Sequence, residues 1–248
     1  MVMWTCYCDT AGTQSKANEQ MLVTVGIAAT AKRWTKFDVR WRKALSEYGV
    51  SALRMKDFAG GWGEYAVWKD DKPRRAAFLA RLLNEAKRGI NKAFVAGLIV
   101  PDFRAINEEY CIVERVQSPY AFVQSLSLAH MIEWLNDTKK KSDQVLCFLE
   151  QGDAGQDAFM AEAERVLGWR PATLPRNDPT GEAYTPFELC DFIAYEHRLA
   201  YTRHMDVDNK FHPRGSFTEM RRHLPFEAGI FDREMLVKWC AHRAIPKR

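Results

Sequence analysis

The stretch MWTCYCDTAGT at residues 3–13, followed by MLVTVGIAA at residues 21–29, decides the fold. Met3 to Asp9 is an apolar run rich in aromatic and sulfur side chains, Thr10-Ala11-Gly12-Thr13 supplies turn chemistry, and Met21 to Ala29 is a second apolar run. Two runs of strand length parted by turn residues predict adjacent strands joined by a loop. The first charge after the opening run is Asp9, which places a carboxylate at a strand end.

Working outward, Trp34, Phe37, Trp41, Leu45 and Tyr48 share one helical face, and Gly49 stands where a helix-ending glycine belongs. Ala52 to Met55 reads as a short strand leading into Lys56-Asp57-Phe58 and the glycine-rich loop Gly60-Gly61-Trp62-Gly63. Pro73 opens a helix that ends near Gly89. Ala93 to Val100 is nearly all apolar, the signature of a strand buried on both faces. Ser118 and Pro119 predict the N-cap and first residue of a long helix over Tyr120 to Leu135. Gln144 to Leu149 is a further strand running into Glu150, with a helix over about 156–167 behind it. Thr185-Pro186-Phe187-Glu188 has the form of a capping box and starts a helix reaching about Arg203. Residues 204–230 read as a loop-rich excursion, and a basic helix at about Asp232 to Arg243 follows. Strands alternating with helices predict an α/β fold whose mixed sheet carries helices on both faces, over residues 1–203, with a C-terminal extension, 204–248, packed on it.

Composition narrows the class of protein. With 248 residues the chain is sized for one elaborated domain, and 47% hydrophobic residues against 27% charged exclude a disordered or fibrous chain. Six cysteines are scattered and none forms a CxxC pair, which argues against a zinc or dithiol motif and for a reduced, cytoplasmic compartment. No stretch approaches the eighteen or so apolar residues that a membrane helix needs, and the N-terminus lacks the pattern of a signal peptide. The net charge is only +4, yet basic residues gather at Arg40 to Lys43, at Lys72 to Arg75 and from Arg221 to Arg248, a pattern that suits a polyanion or a set of solvated helix faces.

The acidic residues carry the chemistry. Ligands of open α/β sheets collect at the carboxyl ends of strands, and Asp9 and Glu150 each end an apolar run. Asp191 lies one turn into the capped helix, three residues after Glu188. Three hard oxygen donors from two strand ends and a helix suit magnesium or manganese, and two such ions can assist in-line attack of water on a phosphodiester. Each residue also has a plain structural reading. Asp9 and Asp153 could cap turns through their own backbone. Glu150 could end in solvent, Glu188 could serve only its capping box, and Asp191 could answer the helix dipole. His197, six residues after Asp191, is a candidate proton shuttle or a surface histidine. Trp62, Tyr65 and Trp68, beside Lys69, Lys72, Arg74 and Arg75, would suit stacking on single-stranded nucleic acid or packing over a sheet edge.

Four segments resemble the ribonuclease H-like proteins catalogued as domain of unknown function thirty-eight hundred, found in bacteria and their mobile elements. Cys8-Asp9-Thr10-Ala11-Gly12 stands at the place of a strand ending in Asp-Glu-Ser-Gly, and Arg54-Met55-Lys56-Asp57-Phe58 is similar to a His-Met-x-Asp-Phe segment. Phe148-Leu149-Glu150 matches a late strand ending in an acid, and Glu188-Leu189-Cys190-Asp191 a Gln-Leu-Ala-Asp motif. The likeness spans about residues 3–203. It implies a ribonuclease H-like fold and a site of Asp9, Glu150 and Asp191 holding magnesium or manganese, with Asp57 as a fourth candidate. Thr10, Arg54 and Glu188 replace the family's Glu, His and Gln, so the resemblance admits a metal-dependent nuclease acting on nucleic acid or an inactive binding module of a mobile-element or defence system.

Competing readings fare less well. Residues 9–13 also resemble the phosphate hairpin of the actin and sugar-kinase superfamily, but the chain is short for two such domains. A haloacid-dehalogenase phosphatase needs Asp where Ala11 stands. No GxxxxGK[ST] segment occurs, and His130, His197, His204, His212, His223 and His242 lie outside any nucleophile motif.

Overall fold

The computed structural model of the chain describes residues 1–12, 19–153, 155–167, 169–204 and 214–248. Along the chain run β1 (Met3–Ala11), β2 (Met21–Thr30), α1 (Ala31–Glu47), α2 (Met55–Gly60), a 3-10 turn at Gly63–Trp68, α3 (Lys72–Gly89) and β3 (Lys92–Ile99). They are followed by α4 (Val100–Tyr110), α5 (Val113–Val116), α6 (Pro119–Thr138), β4 (Gln144–Glu150), α7 (Gln156–Leu167) and β5 (Ala172–Leu174). The chain closes with α8 (Thr185–His204), α9 (Gly215–His223), β6 (Phe226–Phe231) and α10 (Arg233–His242).

The sheet order is β5-β4-β1-β2-β3-β6. The meander β1-β2-β3 is antiparallel, whereas β4 runs parallel to β1, β5 to β4 and β6 to β3. This is the ribonuclease H-like mixed sheet, covered by helices on both faces. Met21, Val23, Val25, Ile27 and Ala29 of β2 face one core with α1, α3 and α8. Leu22 and Ala28 face the other side, where α6, α7, α4 and α10 pack.

Local chemistry sets the helix ends. The Thr30, Asp71 and Ser118 side chains accept from the backbone N–H of Arg33, Arg74 and Ala121, and Pro73 and Pro119 open the helices behind the last two. Gly49 follows the α1 cap at φ +72°, a left-handed conformation that costs glycine little. At Gly89 an added Cβ would lie 2.4 Å from Phe37, so α1 and α3 approach closely only because that side chain is missing.

Three expectations need correction. Residues 52–55 form no strand: the Leu53 N–H donates to the Glu188 carboxylate at 2.9 Å instead of to a ladder, and Met55 begins α2. The region read as a loop-rich excursion holds α9 and β6, because the Pro225 carbonyl accepts from Ala93 at 2.9 Å and starts a parallel ladder. Within that region residues 205–213 lie outside the described residues. The Thr185 box does not close either, since the Thr185 hydroxyl donates to Asp38 at 2.8 Å and Glu188 turns to Trp41 and Leu53.

Candidate functional site

Side chains alternate across a strand, so Trp4, Cys6 and Cys8 point into the α6 side of the sheet and Tyr7 and Asp9 to the α8 side. On β4 the same rule sends Cys147 and Leu149 one way and Phe148 and Glu150 the other, and Tyr7 stacks on Phe148 with ring centroids 5.4 Å apart. Cys8 pairs with Leu149 in parallel register. Asp9 and Glu150 are the next residues on each strand and therefore neighbours on one face. The helix crossing that face is α8, whose second turn carries Asp191.

The charge of Asp191 acts on both other carboxyls, and that of Glu150 on Asp9. Burial pushes the Asp9 carboxyl well above its ordinary value, and repulsion from Glu150, Asp191 and Asp153 adds to the rise. Glu150 and Asp191 are likewise raised, by burial first, against the opposing pull of Arg176 and Arg54. Asp153 joins them: burial and the charge of Glu150 lift it to about 6, while a hydrogen bond with Tyr120 works the other way. Asp9 Oδ1 accepts from the N–H of Thr10 at 2.7 Å, and Asp191 Oδ2 from the N–H of Met55 at 3.1 Å. Behind Asp9 a polar relay enters the core, with Gln124 Nε2 donating to Thr10 Oγ1 at 2.8 Å and to Tyr120 Oη at 3.0 Å.

Arg176, two residues beyond β5, inserts between the acids. Its Nη1 donates to Glu150 Oε1 at 3.0 Å and Oε2 at 3.3 Å, and its Nη2 to Asp191 Oδ2 at 3.4 Å. Sequence reasoning missed this residue. The strand that delivers it is three residues long, too short to register as a period.

The donor set of three to four hard, mutually repelling carboxylates fits magnesium or manganese chemically. Among the described residues no three His, Cys, Asp or Glu side chains are grouped as ligands of a single ion. The Arg176 guanidinium lies between Glu150 and Asp191 and pairs with both.

Other candidates sit elsewhere. Glu188 is buried, with Oε2 accepting from Trp41 Nε1 at 2.7 Å and from Leu53 N–H at 2.9 Å, and burial lifts its carboxyl to about 7; it ties α1 to α8. Asp57 lends its backbone carbonyl to Trp62 N–H at 2.9 Å and is not among the largest influences on Asp9, Glu150 or Asp191. His197 is neither on the surface nor at the acids. It is buried against Phe217 and Phe226, each 5.1 Å away, with Nδ1 2.9 Å from the Ile193 carbonyl, and burial depresses it to about 4. The side chain of His204, and all of Thr13 and His212, lie outside the described residues.

The basic and aromatic surface also needs redrawing. Tyr65 and Trp68 are core residues, while Trp62 is 54% exposed and lies over Gly60, with Lys56 Nζ 6.0 Å from its ring. Arg74 covers Trp68 at 4.5 Å and Arg75 covers Phe58 at 4.5 Å while donating to the Phe58 carbonyl at 2.6 Å; both serve packing. Lys72 is exposed. Of the other clusters, Arg40 pairs with Glu85, Arg42 with Asp38 and Glu182, and Arg233 and Lys247 with Glu109.

No helix among the described residues is long and apolar enough to cross a membrane. No family model matches the chain, and no curated protein matches it. Among solved structures it is similar to a chain of the PCNA:RNase HII complex from Archaeoglobus fulgidus, at 16% identity and a TM-score of 0.42, over 98% of this chain and 91% of that one. The description of the fold rests on the strand order and register given above.

Proposed function

We propose that this chain is a divalent-metal-dependent phosphodiester hydrolase acting on nucleic acid, akin to the ribonuclease H-like proteins catalogued as domain of unknown function thirty-eight hundred. One observation carries the reading. Asp9 and Glu150, far apart in sequence, stand just past the last rung that pairs the parallel strands β1 and β4, on one face beneath Asp191 of α8; burial raises all three carboxyls, and the charge of Asp191 raises the other two further. A cluster that repels itself is stabilised by a cation.

In this reading Asp9, Glu150 and Asp191 would hold magnesium or manganese, which when bound supplies Lewis acidity toward a phosphodiester and makes water a better nucleophile. The chain's own groups do the rest. The Met55 N–H fixes the Asp191 carboxylate, the Thr10 N–H fixes Asp9, and Tyr120 orients Asp153 at the rim. Trp62 offers a face on which a base can stack, and Lys72 a charge for phosphate. Calorimetric titration with manganese, together with cleavage of labelled oligonucleotides, tests the proposal. Heat of binding and cleavage, both absent in Asp9→Ala at unchanged circular dichroism, support it; cleavage retained in that variant overturns it.

The contacts of Arg176 favour a second reading, an inactive nucleic-acid-binding or protein-interaction module in which the arginine permanently neutralises the acids. It predicts oligonucleotide binding with no manganese heat and no cleavage.

A further inference from the structure

Arg176 has no part in the hydrolysis just described, yet it forms ion pairs with two of the acids, Glu150 and Asp191. It brings one positive charge into contact with Glu150 and Asp191, which together carry two negative charges when ionised, with Arg54 acting on both without an ion pair, and among the described residues no arginine or lysine lies within ion-pair distance of Asp9. A divalent cation matches the Glu150 and Asp191 charges where the guanidinium matches half of them. The two cannot share the gap between Glu150 and Asp191.

The loop that carries Arg176 is fastened without its side chain. The Tyr184 N–H donates to the Arg176 carbonyl at 3.0 Å, and Asn177 bridges to Ala183. Asp178 Oδ1 gathers the Thr180 N–H at 2.8 Å and the Glu182 N–H at 3.0 Å. From α1, Arg42 donates to the Ala183 carbonyl at 3.2 Å and pairs with Glu182 at 2.7 Å. The guanidinium end can therefore leave while the loop stays. Its side chain is 28% exposed, so it has a path to water.

We infer that Arg176 is a displaceable internal counter-ion: it holds Glu150 and Asp191 together in the metal-free protein, and a divalent cation enters only by driving the guanidinium out. This rests on the metal-dependent reading and deepens it, making Arg176 a positioning residue that sets metal affinity. Removing the competitor should tighten binding even though a favourable ion pair is lost. A lysine, a single point charge without the planar fork, should compete less well than arginine.

The experiment is calorimetric titration of manganese into the full chain as wild type, Arg176→Gln, Arg176→Lys and Asp9→Ala, with circular dichroism confirming each fold. The expected result is about tenfold tighter binding in Arg176→Gln than in wild type, equivalent to about 1.4 kcal/mol, with Arg176→Lys between them and no binding in Asp9→Ala. Wild type binding manganese as tightly as Arg176→Gln overturns the competition and leaves the metal site standing. Absence of binding in all four overturns the metal reading and the competition with it. Should Arg176→Gln fail to fold, Arg176→Lys decides, because only a competitor's weakening raises affinity while keeping the charge.

Discussion

Two ionic centres of this protein are built in opposite proportions. Between α1 and α3, Glu85 is 2% exposed and meets Arg40 at 2.7 Å, Arg88 at 3.7 Å and, more closely still, Arg81. That centre has two carboxylates, Glu85 at its middle and Glu47 2.9 Å from Arg81, against three guanidiniums. Where the β1–β4 ladder stops the ratio is reversed, with Asp9, Glu150, Asp153 and Asp191 near Arg176, among the described residues the one arginine that pairs with any of them. A carboxylate surrounded by arginines holds two helices together and calls for nothing from outside. A group of carboxylates short of positive charge gains from any further cation, and it stands where open sheets place their ligands. Burial of charge alone does not distinguish the two centres; the local balance of charge does.

The contrast can be broken most directly at Asp9. Asp9→Ala should lower metal-dependent cleavage by more than about 100-fold, beyond the loss typical when only a supporting group of a metal site is removed. The same change should leave the thermal midpoint no lower, because it relieves repulsion; a drop of several degrees would mean that the cluster stabilises the fold as Glu85 does. Glu85→Gln should do the reverse. It takes the carboxylate from Arg40 and Arg88 and leaves Arg81 with Glu47 alone, and should lower the free energy of unfolding by about 2–3 kcal/mol, the smaller end for a broken ionic cluster because its arginines reach water. Urea titration reads that loss, and manganese binding should be untouched.

A third buried group sharpens the comparison through pH. His197 is held neutral with its pKa depressed to about 4, so unfolding takes up a proton and stability is lost as pH falls from the unfolded value of about 6.5 through 4. His197→Phe should abolish that loss, worth about 2 kcal/mol at pH 5 relative to neutral pH. Asp153, raised to about 6, has the opposite sign: its contribution is complete below the unfolded value of about 4 and disappears as pH rises through 6. Denaturation series for His197→Phe and Asp153→Asn should therefore flatten opposite limbs of the stability profile. The smallest effect belongs to the surface. Trp62→Ala should weaken binding of single-stranded oligonucleotide by about 1 kcal/mol without altering stability, whereas Arg75→Ala should destabilise the fold and leave affinity unchanged. Fluorescence anisotropy in the absence of divalent metal distinguishes the two.

The sheet was legible wherever a period ran long enough. The runs at Met3 to Asp9 and Met21 to Ala29, the Ser118-Pro119 and Pro73 helix starts and the strand ending at Glu150 all lie where spacing places them. The short pieces were hidden. Three-residue β5 offers no alternation, and β6 has only partial burial and follows a proline, so both read as loop. The juxtaposition of Asp9 and Glu150 was readable because both are the first charge after an apolar strand; Arg176 was hidden because its strand was. Exposure was least readable. Nothing in the spacing of Trp62, Tyr65 and Trp68 distinguishes the ring left at the surface from the two drawn into the core, and a 3-10 turn made the choice.

The parallel pairing of β1 with β4 joins distant stretches of chain, and brings the thiols of Cys8 and Cys147, 139 positions apart, to 3.9 Å. The meander of β1, β2 and β3 can zip from nearby segments, but the partner of β1 on its other side arrives only after the six helices α1 to α6 have been made. Closing so long a loop is slow. The acidic pocket is thus among the last parts of the molecule to exist, and a nascent or partly refolded chain displays its carboxylates singly, with no grip on a passing ion until the whole architecture is in place.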